Sequence, residues 1–234
     1  MSGGFKLNAD FNSRCVVHAA KTEWVPSPMK GVDRRMLDRI GTEVARATTV
    51  VRYDAGGKFR THVHSGGEEF LVLSGTFSDA AGDFGEGCYI RNPPTSSHAP
   101  WSNPGCVILV KLHQFDLTDR SHIVIDTKKQ KAVAPRDRQP EVPLTPLFND
   151  GKEDVRIEYW APEALVSLEV PQGGEFFVVH GDFTEGDDLL EEWSWLRLPP
   201  GATLNAKAGA DGAKVWVKTG HLTNIDFNRY ESFD

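Results

Sequence analysis

Three histidines and a glutamate in the first half of the chain have the residue types and the spacing of a metal site. His62 and His64 are separated by one residue, Glu68 follows four residues after His64, and His98 lies about thirty residues farther along. Alternate residues of a β-strand point to the same face, so His62 and His64 can act together while Val63 faces away. Three neutral imidazoles and one carboxylate form a ligand set for iron, nickel, copper, manganese or zinc. The sequence therefore predicts a transition-metal site.

The residues around the two neighbouring histidines predict a β-hairpin. Ser65-Gly66-Gly67 is a turn sequence, and Glu68 to Leu73 is typical of the returning strand. Such a hairpin places a carboxylate beside the imidazoles. Strand parity alone does not decide whether Glu68 or the adjacent Glu69 faces them.

The spacing of these residues resembles the first motif of the cupin family. Every fixed position of that motif is filled, by Gly56, His62, His64, Glu68 and Gly75. The resemblance implies that His62, His64, Glu68 and His98 bind the metal. The family spacing favours Glu68 over Glu69 as the carboxylate ligand.

A second cupin motif resembles the segment from Gly87 to His98, followed by Asn103. This segment departs from the family at two positions, because Thr95 replaces a glycine and Asn103 lies one residue late. Glycine tolerates a positive φ that threonine adopts poorly, so the first change weakens a turn rule. His98 nevertheless keeps its place.

Within the cupins, the chain is similar to the ChrR-like group over about residues 20–115. The likeness rests on Gly66 to Gly75 and on the upstream Trp24-Val25-Pro26 and Gly31-Val32. That group includes the cupin half of ChrR anti-sigma factors and relatives of acetylacetone-type dioxygenases. The resemblance implies double-sheet jelly-roll barrels, and β-rich runs bounded by Gly, Pro, Asn or Asp agree with an all-β fold.

An internal repeat indicates two tandem barrels. At an offset of 106 residues and without a gap, Tyr53 aligns with Tyr159, Gly67 with Gly173, Glu69 with Glu175, Gly75 with Gly181, and Arg91 with Arg197. Self-similarity at a fixed offset indicates a duplicated structural unit. We predict an all-β bicupin with a metal-binding domain at residues 1–125, a linker at 126–148 and a second domain at 149–234.

The second copy lacks the predicted ligands. At the same offset, His62, His64, Glu68 and His98 correspond to Leu168, Val170, Gly174 and Leu204. Apolar side chains cannot bind a divalent ion but can fill a barrel, so we expect the three to pack together in a metal-free domain. One divalent transition metal per chain, Fe, Zn, Ni or Mn, is therefore expected. Because Glu69 survives as Glu175 in this copy, we expect it to have a structural or hydrogen-bonding role.

Composition excludes several classes of function. A formal charge of −7 and the lack of a basic cluster argue against nucleic acid as a partner. No apolar run is long enough for a transmembrane helix, so no membrane partner is expected, and the N-terminus lacks an apolar signal-peptide core. The three cysteines, Cys15, Cys88 and Cys106, form no paired framework, which favours reduced thiols and a cytoplasmic location.

Two functions remain open. Three histidines and a glutamate leave about two positions on a six-coordinate ion, which suits an iron(II)-dependent dioxygenase acting on a small carbonyl compound. The alternative is a non-catalytic ChrR-like cupin, with structural zinc, that senses a small molecule or oxidant. Direct sigma-factor inhibition is not expected, because Cys15 lacks the companions of a His-x-x-x-Cys-x-x-Cys pattern. The second barrel is expected to act as a platform, which could also shape a homodimer.

The other histidines lack ligand-like spacing and are expected to be hydrogen-bonded or surface residues: His18, His113, His122, His180 and His221. The acidic segment from Asp187 to Glu192 predicts a solvated turn or a short helix and not an acidic binding patch.

Overall fold

The chain consists almost entirely of β-strands. A computed structural model describes residues 5–42, 44–134, 142–223 and 225–231. In chain order the strands are β1 (Lys6–Leu7), β2 (Cys15–His18), β3 (Val25–Pro26), β4 (Val32–Ile40), β5 (Arg46–Tyr53), β6 (Gly57–Lys58), β7 (His62–Val63), β8 (Glu68–Asp79), β9 (Gly82–Gly85), β10 (Cys88–Asn92), β11 (Ser97–His98), β12 (Trp101–Ser102), β13 (Cys106–Leu112), β14 (Ile123–Asp126), β15 (Leu144–Asn149), β16 (Asp154–Trp160), β17 (Leu165–Val170), β18 (Gly174–Glu185), β19 (Asp188–Leu190), β20 (Ser194–Leu198) and β21 (Ala202–Thr219). Single 3₁₀ turns lie at Ala19–Lys21 and Thr127–Lys129, and the short helix α1 lies at Asn228–Glu231. None of the described helices has the length and apolar character needed to cross a membrane.

The strands divide into two compact units, here called the first and second barrels. The first barrel comprises the described residues within 1–9, 23–130 and 226–234, and the second those within 10–22 and 131–225. The main sheet of the first has the order β1-β4-β5-β13-β8-β10-β14, and that of the second β15-β16-β21-β18-β20-β2. All recorded pairings between these strands are antiparallel, as in the double-sheet jelly roll that the sequence predicts.

The domain boundaries expected from the repeat need correction at both ends of the chain. Residues 10–22, assigned to the first domain, belong to the second barrel, where β2 pairs with β20. Residues 226–231, assigned to the second domain, belong to the first barrel. The repeat could not reveal this, because its alignment covers the strands between these ends and not the ends themselves.

The predicted linker at 126–148 is also partly ordered strand. Residues 144–148 lie in β15, which pairs with β16 as an outer strand of the second barrel. The backbone of Val133 pairs with that of Leu144. Residues 135–141, within the predicted linker, lie outside the described part of the chain. Four prolines made this segment resemble a connection, but a proline such as Pro146 is compatible with an outer strand.

The interior of each barrel is filled by the inward-facing residues of its strands. In the first barrel, Phe70 and Val72 of β8 pack with Ile108 and Val110 of β13. In the second barrel, the corresponding core is larger and continues through the positions where the first barrel has its histidines. Val170 and Leu204 are fully buried there, and Leu168, the Cα partner of Leu204, packs against the same core. The prediction that the three apolar replacements pack together is confirmed.

Gly174, which stands at the position of Glu68, has no room for a side chain. A Cβ atom added there would lie 2.9 Å from Val170 Cγ1 and 3.3 Å from Phe176 Cε2. Contacts below about 3 Å force neighbouring atoms to move, and close packing leaves them little space to do so. The second barrel has therefore lost both its ligands and the space that they would occupy.

The acidic segment from Asp187 to Glu192 was predicted correctly only at Asp187 and Glu192, which lie in turns. Asp188–Leu190 is strand β19, which pairs with β18. Leu190 is fully buried in the core of the second barrel. Burial of this leucine outweighs the turn-forming tendency of the neighbouring acidic residues.

The retained glutamates, Glu69 and Glu175, have the expected hydrogen-bonding role. The Tyr89 hydroxyl donates to Glu69 Oε2 at 2.6 Å. In the second barrel, Trp195 Nε1 donates to Glu175 Oε2 at 3.1 Å and His221 Nε2 lies 2.8 Å from Glu175 Oε1. Tyr89 and Trp195 are themselves equivalent at the 106-residue offset. The duplication thus preserves a buried carboxylate that supports the sheet in both barrels.

Introducing a histidine at Leu204 should destabilise the second barrel. Leu204→His removes a fully buried apolar side chain and places an imidazole in an apolar core that offers it no hydrogen-bond partner. The free energy of unfolding should fall by about 2–5 kcal/mol. Urea unfolding followed by tryptophan fluorescence measures the change. Leu165→His, at a leucine that is 70% exposed in the same barrel, is the matched control and should change stability by less than about 0.5 kcal/mol. Equal effects of the two substitutions would contradict the packed interior.

Candidate metal centre

The four predicted side chains converge in the first barrel. The ligand atoms of His62, His64, Glu68 and His98 all lie within 4.8 Å of one another. His62 and His98 are Cα partners across β7 and β11, and Glu68 opens β8 after the glycine turn. Residues separated by more than thirty positions are thus brought to one point by strand pairing.

The chain around Thr95 extends this pairing to His64. The backbone N–H of Thr95 donates to the carbonyl of His64 at 2.9 Å, and the N–H of His64 donates to the carbonyl of Ser96 at 2.9 Å. Thr95 has a φ of 76°, so it adopts the left-handed conformation that glycine usually provides at this motif position. A non-glycine residue in that region typically costs about 1–3 kcal/mol. The pairing that positions His64 is therefore maintained against local strain.

The atoms of the cluster face one another without being hydrogen-bonded. Glu68 Oε2 lies 3.6 Å from His64 Nε2 and 3.7 Å from His98 Nε2, distances too long for hydrogen bonds. Among the described residues, the buried Nε2 of His64 has no hydrogen-bond partner. A buried polar atom without a partner is costly, and an ion coordinated at this point would satisfy it. The donor set therefore fits a transition metal.

Burial favours the neutral, metal-binding form of two imidazoles of the cluster, His64 and His98. Burial, together with the charge of His62, lowers the pKa of His64 to about 4. The pKa of His98 is also lowered, chiefly by burial, although Glu68 and Asp79 oppose the change. Burial raises the pKa of Glu68, opposed by His98 and by a hydrogen bond from Asn92. A divalent cation would reverse this effect on Glu68, because its charge favours the carboxylate.

Three acceptors and donors outside the cluster orient its members. His98 Nδ1 lies 3.1 Å from Asp79 Oδ2, and His62 Nδ1 lies 3.2 Å from the carbonyl oxygen of Arg60. A carbonyl oxygen and an ionised carboxylate can only accept hydrogen bonds. The Nδ1 atoms of His62 and His98 therefore carry the proton, and their Nε2 atoms keep a lone pair. Asn92 Nδ2 donates to Glu68 Oε2 at 3.1 Å. Partners of this kind hold ligands in position and tune their basicity.

Asp79 was not found by the sequence reasoning. It ends β8, eleven residues after Glu68, and carries no motif signal. Only the three-dimensional arrangement of the first barrel brings its carboxylate to His98. The choice between the two adjacent glutamates, by contrast, agrees with the family spacing. Glu68 lies in the cluster, whereas Glu69 is bonded to Tyr89.

A cavity of about 250 Å³ adjoins the cluster. Its volume lies just below the roughly 300–1,000 Å³ that is usual for small-molecule sites. His62, His64 and Glu68 form part of its wall, so a molecule in the cavity could reach an ion held by them. The other lining residues are mainly apolar and include Met29, Val32, Val51, Phe59, Pro100, Val110 and Leu112.

Besides Ser27, three polar residues on the cavity wall were also missed: Arg34, Tyr53 and His113. His113 was expected to be a surface or hydrogen-bonded histidine; its side chain lines the cavity, and its φ of 57° is left-handed. Burial, with smaller contributions from Arg229, His64 and Arg39, lowers the pKa of His113. None of the three has a ligand-like spacing, so only the fold identifies them.

Removing the carboxylate partner of His98 should weaken metal binding. Asp79→Asn should lower the affinity about 10–100-fold, because the amide holds the Nδ1 proton of His98 less strongly. Competition with a chromogenic chelator measures the affinity. Asp187→Asn, at an exposed aspartate of the second barrel, is the control and should leave the affinity unchanged. An unaltered affinity in Asp79→Asn would show that Asp79 does not orient a ligand.

The two neighbouring glutamates should separate metal binding from stability. Wild-type protein should hold one ion per chain, Glu68→Gln should lose most of it, and Glu69→Gln should retain it while unfolding at lower urea concentration, because Glu69 supports Tyr89. Elemental analysis and urea unfolding give the two quantities. Metal loss in Glu69→Gln but not in Glu68→Gln would reverse the assignment, and two ions per chain would contradict a metal-free second barrel.

Comparison with known proteins agrees with this geometry. Residues 12–116 match the sequence model of the family described as ChrR Cupin-like domain. A search of curated protein sequences finds no match. A candidate dioxygenase from Nostoc punctiforme has a similar structure, with a TM-score of 0.76 and 15% identity over 92% of this chain and 86% of that one.

Two further solved structures have the same fold. A bacterial pirin from Escherichia coli in complex with nickel(II) has a TM-score of 0.63 and 13% identity, covering 88% of this chain and 98% of that one. A cupin 2 conserved barrel domain protein from Leptotrichia buccalis has a TM-score of 0.58 and 7% identity, with coverages of 88% and 95%. At these identities the likeness extends to the fold alone. The motifs, the duplicated barrels and the family match of residues 12–116 agree with a cupin fold.

Proposed function

We propose that the first barrel binds one divalent transition metal and acts as an iron(II)-dependent dioxygenase on a small carbonyl compound. The ligands would be the Nε2 atoms of His62, His64 and His98 and the carboxylate of Glu68. The observation that carries the proposal is the convergence of these four groups, three of which, His62, His64 and Glu68, line an adjoining cavity.

The donor set favours reaction chemistry over a purely structural ion. Structural zinc sites are usually closed by four ligands, commonly including cysteine, whereas this cluster has oxygen and nitrogen donors and adjoins a cavity. Four protein ligands leave about two positions on a six-coordinate ion. A bound ferrous ion would supply reactivity toward O₂ and would polarise a carbonyl group that binds beside it.

The residues of the chain would orient the substrate and exclude water. The apolar side chains of Val51, Phe59 and Val110 line the cavity and limit the number of water molecules that it can hold. Burial raises the pKa of Tyr53 far above its ordinary value, so its phenol stays neutral and keeps its O–H as a hydrogen-bond donor. Tyr53 can therefore donate to a substrate oxygen in the cavity.

A sensor is the second candidate, favoured by the match of residues 12–116 to the ChrR Cupin-like domain. In that case the same cavity would bind a small molecule or an oxidant without turnover. Zinc would fit the same ligands, because it accepts imidazole and carboxylate donors. The two candidates share the metal site and differ only in what happens to the bound molecule.

Oxygen consumption separates the two functions. Protein loaded with ferrous ion under anaerobic conditions is mixed with oxygenated buffer and a panel of β-diketones and hydroxyaryl ketones, and an oxygen electrode records uptake. We expect uptake equal to the substrate consumed, with cleavage of a carbon–carbon bond and both oxygen atoms in the products. His98→Ala and zinc-loaded protein are the controls and should show at most background uptake. Saturable binding without uptake would favour the sensor, and no binding of any compound would count against both.

A further inference from the structure

Arg34 places a positive charge on the inner wall of the first barrel. It lies on β4 two residues after Val32, so both side chains point to the same face of the strand. Val32 and Val51, the Cα partner of Arg34, belong to the apolar core, and Arg34 lines the cavity with them. Arg34 is half-buried, and a charge that is partly removed from water is stabilised by an anionic partner.

No acidic side chain among the described residues neutralises this guanidinium. The Nε of Arg34 is buried and has no hydrogen-bond partner in the described part of the chain. The nearest acidic residue along the strand, Asp33, is paired with Arg52 at 2.6 Å. Burial lowers the pKa of Arg39, and the charge of Arg34 lowers it further. Among the described residues Arg34 therefore has no ion-pair partner, and the carboxylate that lines the same cavity, Glu68, belongs to the metal cluster.

Arg35, the next residue, also has a buried Nε without a hydrogen-bond partner among the described residues, but its guanidinium packs on an aromatic ring. Its guanidinium lies 4.1 Å from the ring centroid of Trp24, with Arg52 on the same ring at 4.6 Å. These residues lie on the opposite face of the strand from Arg34, and none of them lines the cavity. The two arginines are adjacent in the chain and have the same side chain, but only Arg34 lines the cavity.

We propose that Arg34 binds a carboxylate of the substrate, so that the natural substrate class is a short carbonyl acid carrying a single negative charge. The carboxylate would lie on Arg34 and the carbonyl would face His62, His64 and Glu68 across the same cavity. This inference rests on the proposed function for the role of the carbonyl. The binding of a carboxylate by Arg34 does not require that the substrate reacts.

The charge and size of the ligand follow from the cavity. A guanidinium presents parallel N–H groups that match a carboxylate, and such charge-assisted pairs are among the stronger hydrogen bonds. Arg34 is the only lysine or arginine among the described residues that line the cavity, so one anionic group is accommodated and a second is not. The volume of about 250 Å³ limits the ligand to a small molecule.

The test compares an acid with its neutral ester. Acetoacetate and methyl acetoacetate are titrated calorimetrically into metal-loaded protein under anaerobic conditions, for wild type and for Arg34→Leu, Arg34→Lys and Arg35→Leu. Metal content and circular dichroism are recorded for each variant, so that loss of metal or of fold is recognised. We expect Arg34→Leu to lower the ratio of acid to ester affinity about 10–100-fold, which corresponds to loss of one hydrogen-bonded charge pair. Arg34→Lys should keep part of the preference, and Arg35→Leu should leave the ratio unchanged.

Several outcomes would overturn the inference. Wild-type protein that binds the ester as tightly as the acid, or an equal loss of preference in Arg35→Leu and Arg34→Leu, would exclude a specific role for Arg34. Inorganic phosphate that displaces acetoacetate at equal concentration would show a general anion site and not a carboxylate site. If Arg34→Leu does not fold, the ratio of acid to ester affinity is compared between Arg34→Lys and Arg35→Leu. A ratio lowered no more in Arg34→Lys than in Arg35→Leu would contradict the inference.

This titration and the oxygen-consumption assay together separate this inference from the proposed function. Acid preference that depends on Arg34, without oxygen uptake, would support the carboxylate site and contradict the dioxygenase. Oxygen uptake with neutral diketones, without a preference for acids, would support the dioxygenase and contradict the carboxylate site.

Discussion

The structure of the first barrel depends on the burial of one carboxylate beside three imidazoles. Burial raises the pKa of Glu68 and lowers those of His64 and His98, although His98 partly offsets the change at Glu68. A charge in such surroundings is stable only when a cation is supplied or a proton is taken up. The buried carboxylate of Glu68 is therefore most stable as an anion when a cation binds beside it.

The hairpin that carries these groups is held by close packing of its turn. A Cβ on Gly66 would lie 2.4 Å from His113 Nδ1, and one on Gly67 would lie 2.3 Å from Phe115 Cγ, so only glycine fits at either position. The backbone N–H groups of His113 and Phe115 donate to the carbonyls of Gly67 and Gly66. The Tyr230 hydroxyl, from α1 near the end of the chain, donates to the carbonyl of His113 at 2.6 Å. The ligand hairpin therefore rests on residues from three distant parts of the sequence.

The duplication allows the same framework to be compared with and without a site. Both barrels retain a buried glutamate that supports the sheet, and both turn sharply at equivalent glycines, Gly75 and Gly181, with φ near 75°. They differ in the interior, where one has polar groups beside a cavity and the other has Val170 and Leu204 in a closed core. Backbone pairing and turn geometry thus specify the barrel, whereas the side chains inside it decide between a site and a core.

The sequence by itself determined the all-β class, the duplication, the four-residue cluster and the loss of that cluster in the second copy. These features follow from local rules: alternation along strands, glycines at positive φ and fixed motif spacing. Tertiary structure alone decided the contribution of the chain ends to each barrel, the approach of Asp79 to His98, and the placement of Arg34, Tyr53 and His113 on one cavity. Such contacts join residues that are far apart in the chain and carry no periodic signal. Their positions depend on strand order and register, which become defined only when the sheets assemble around the buried core.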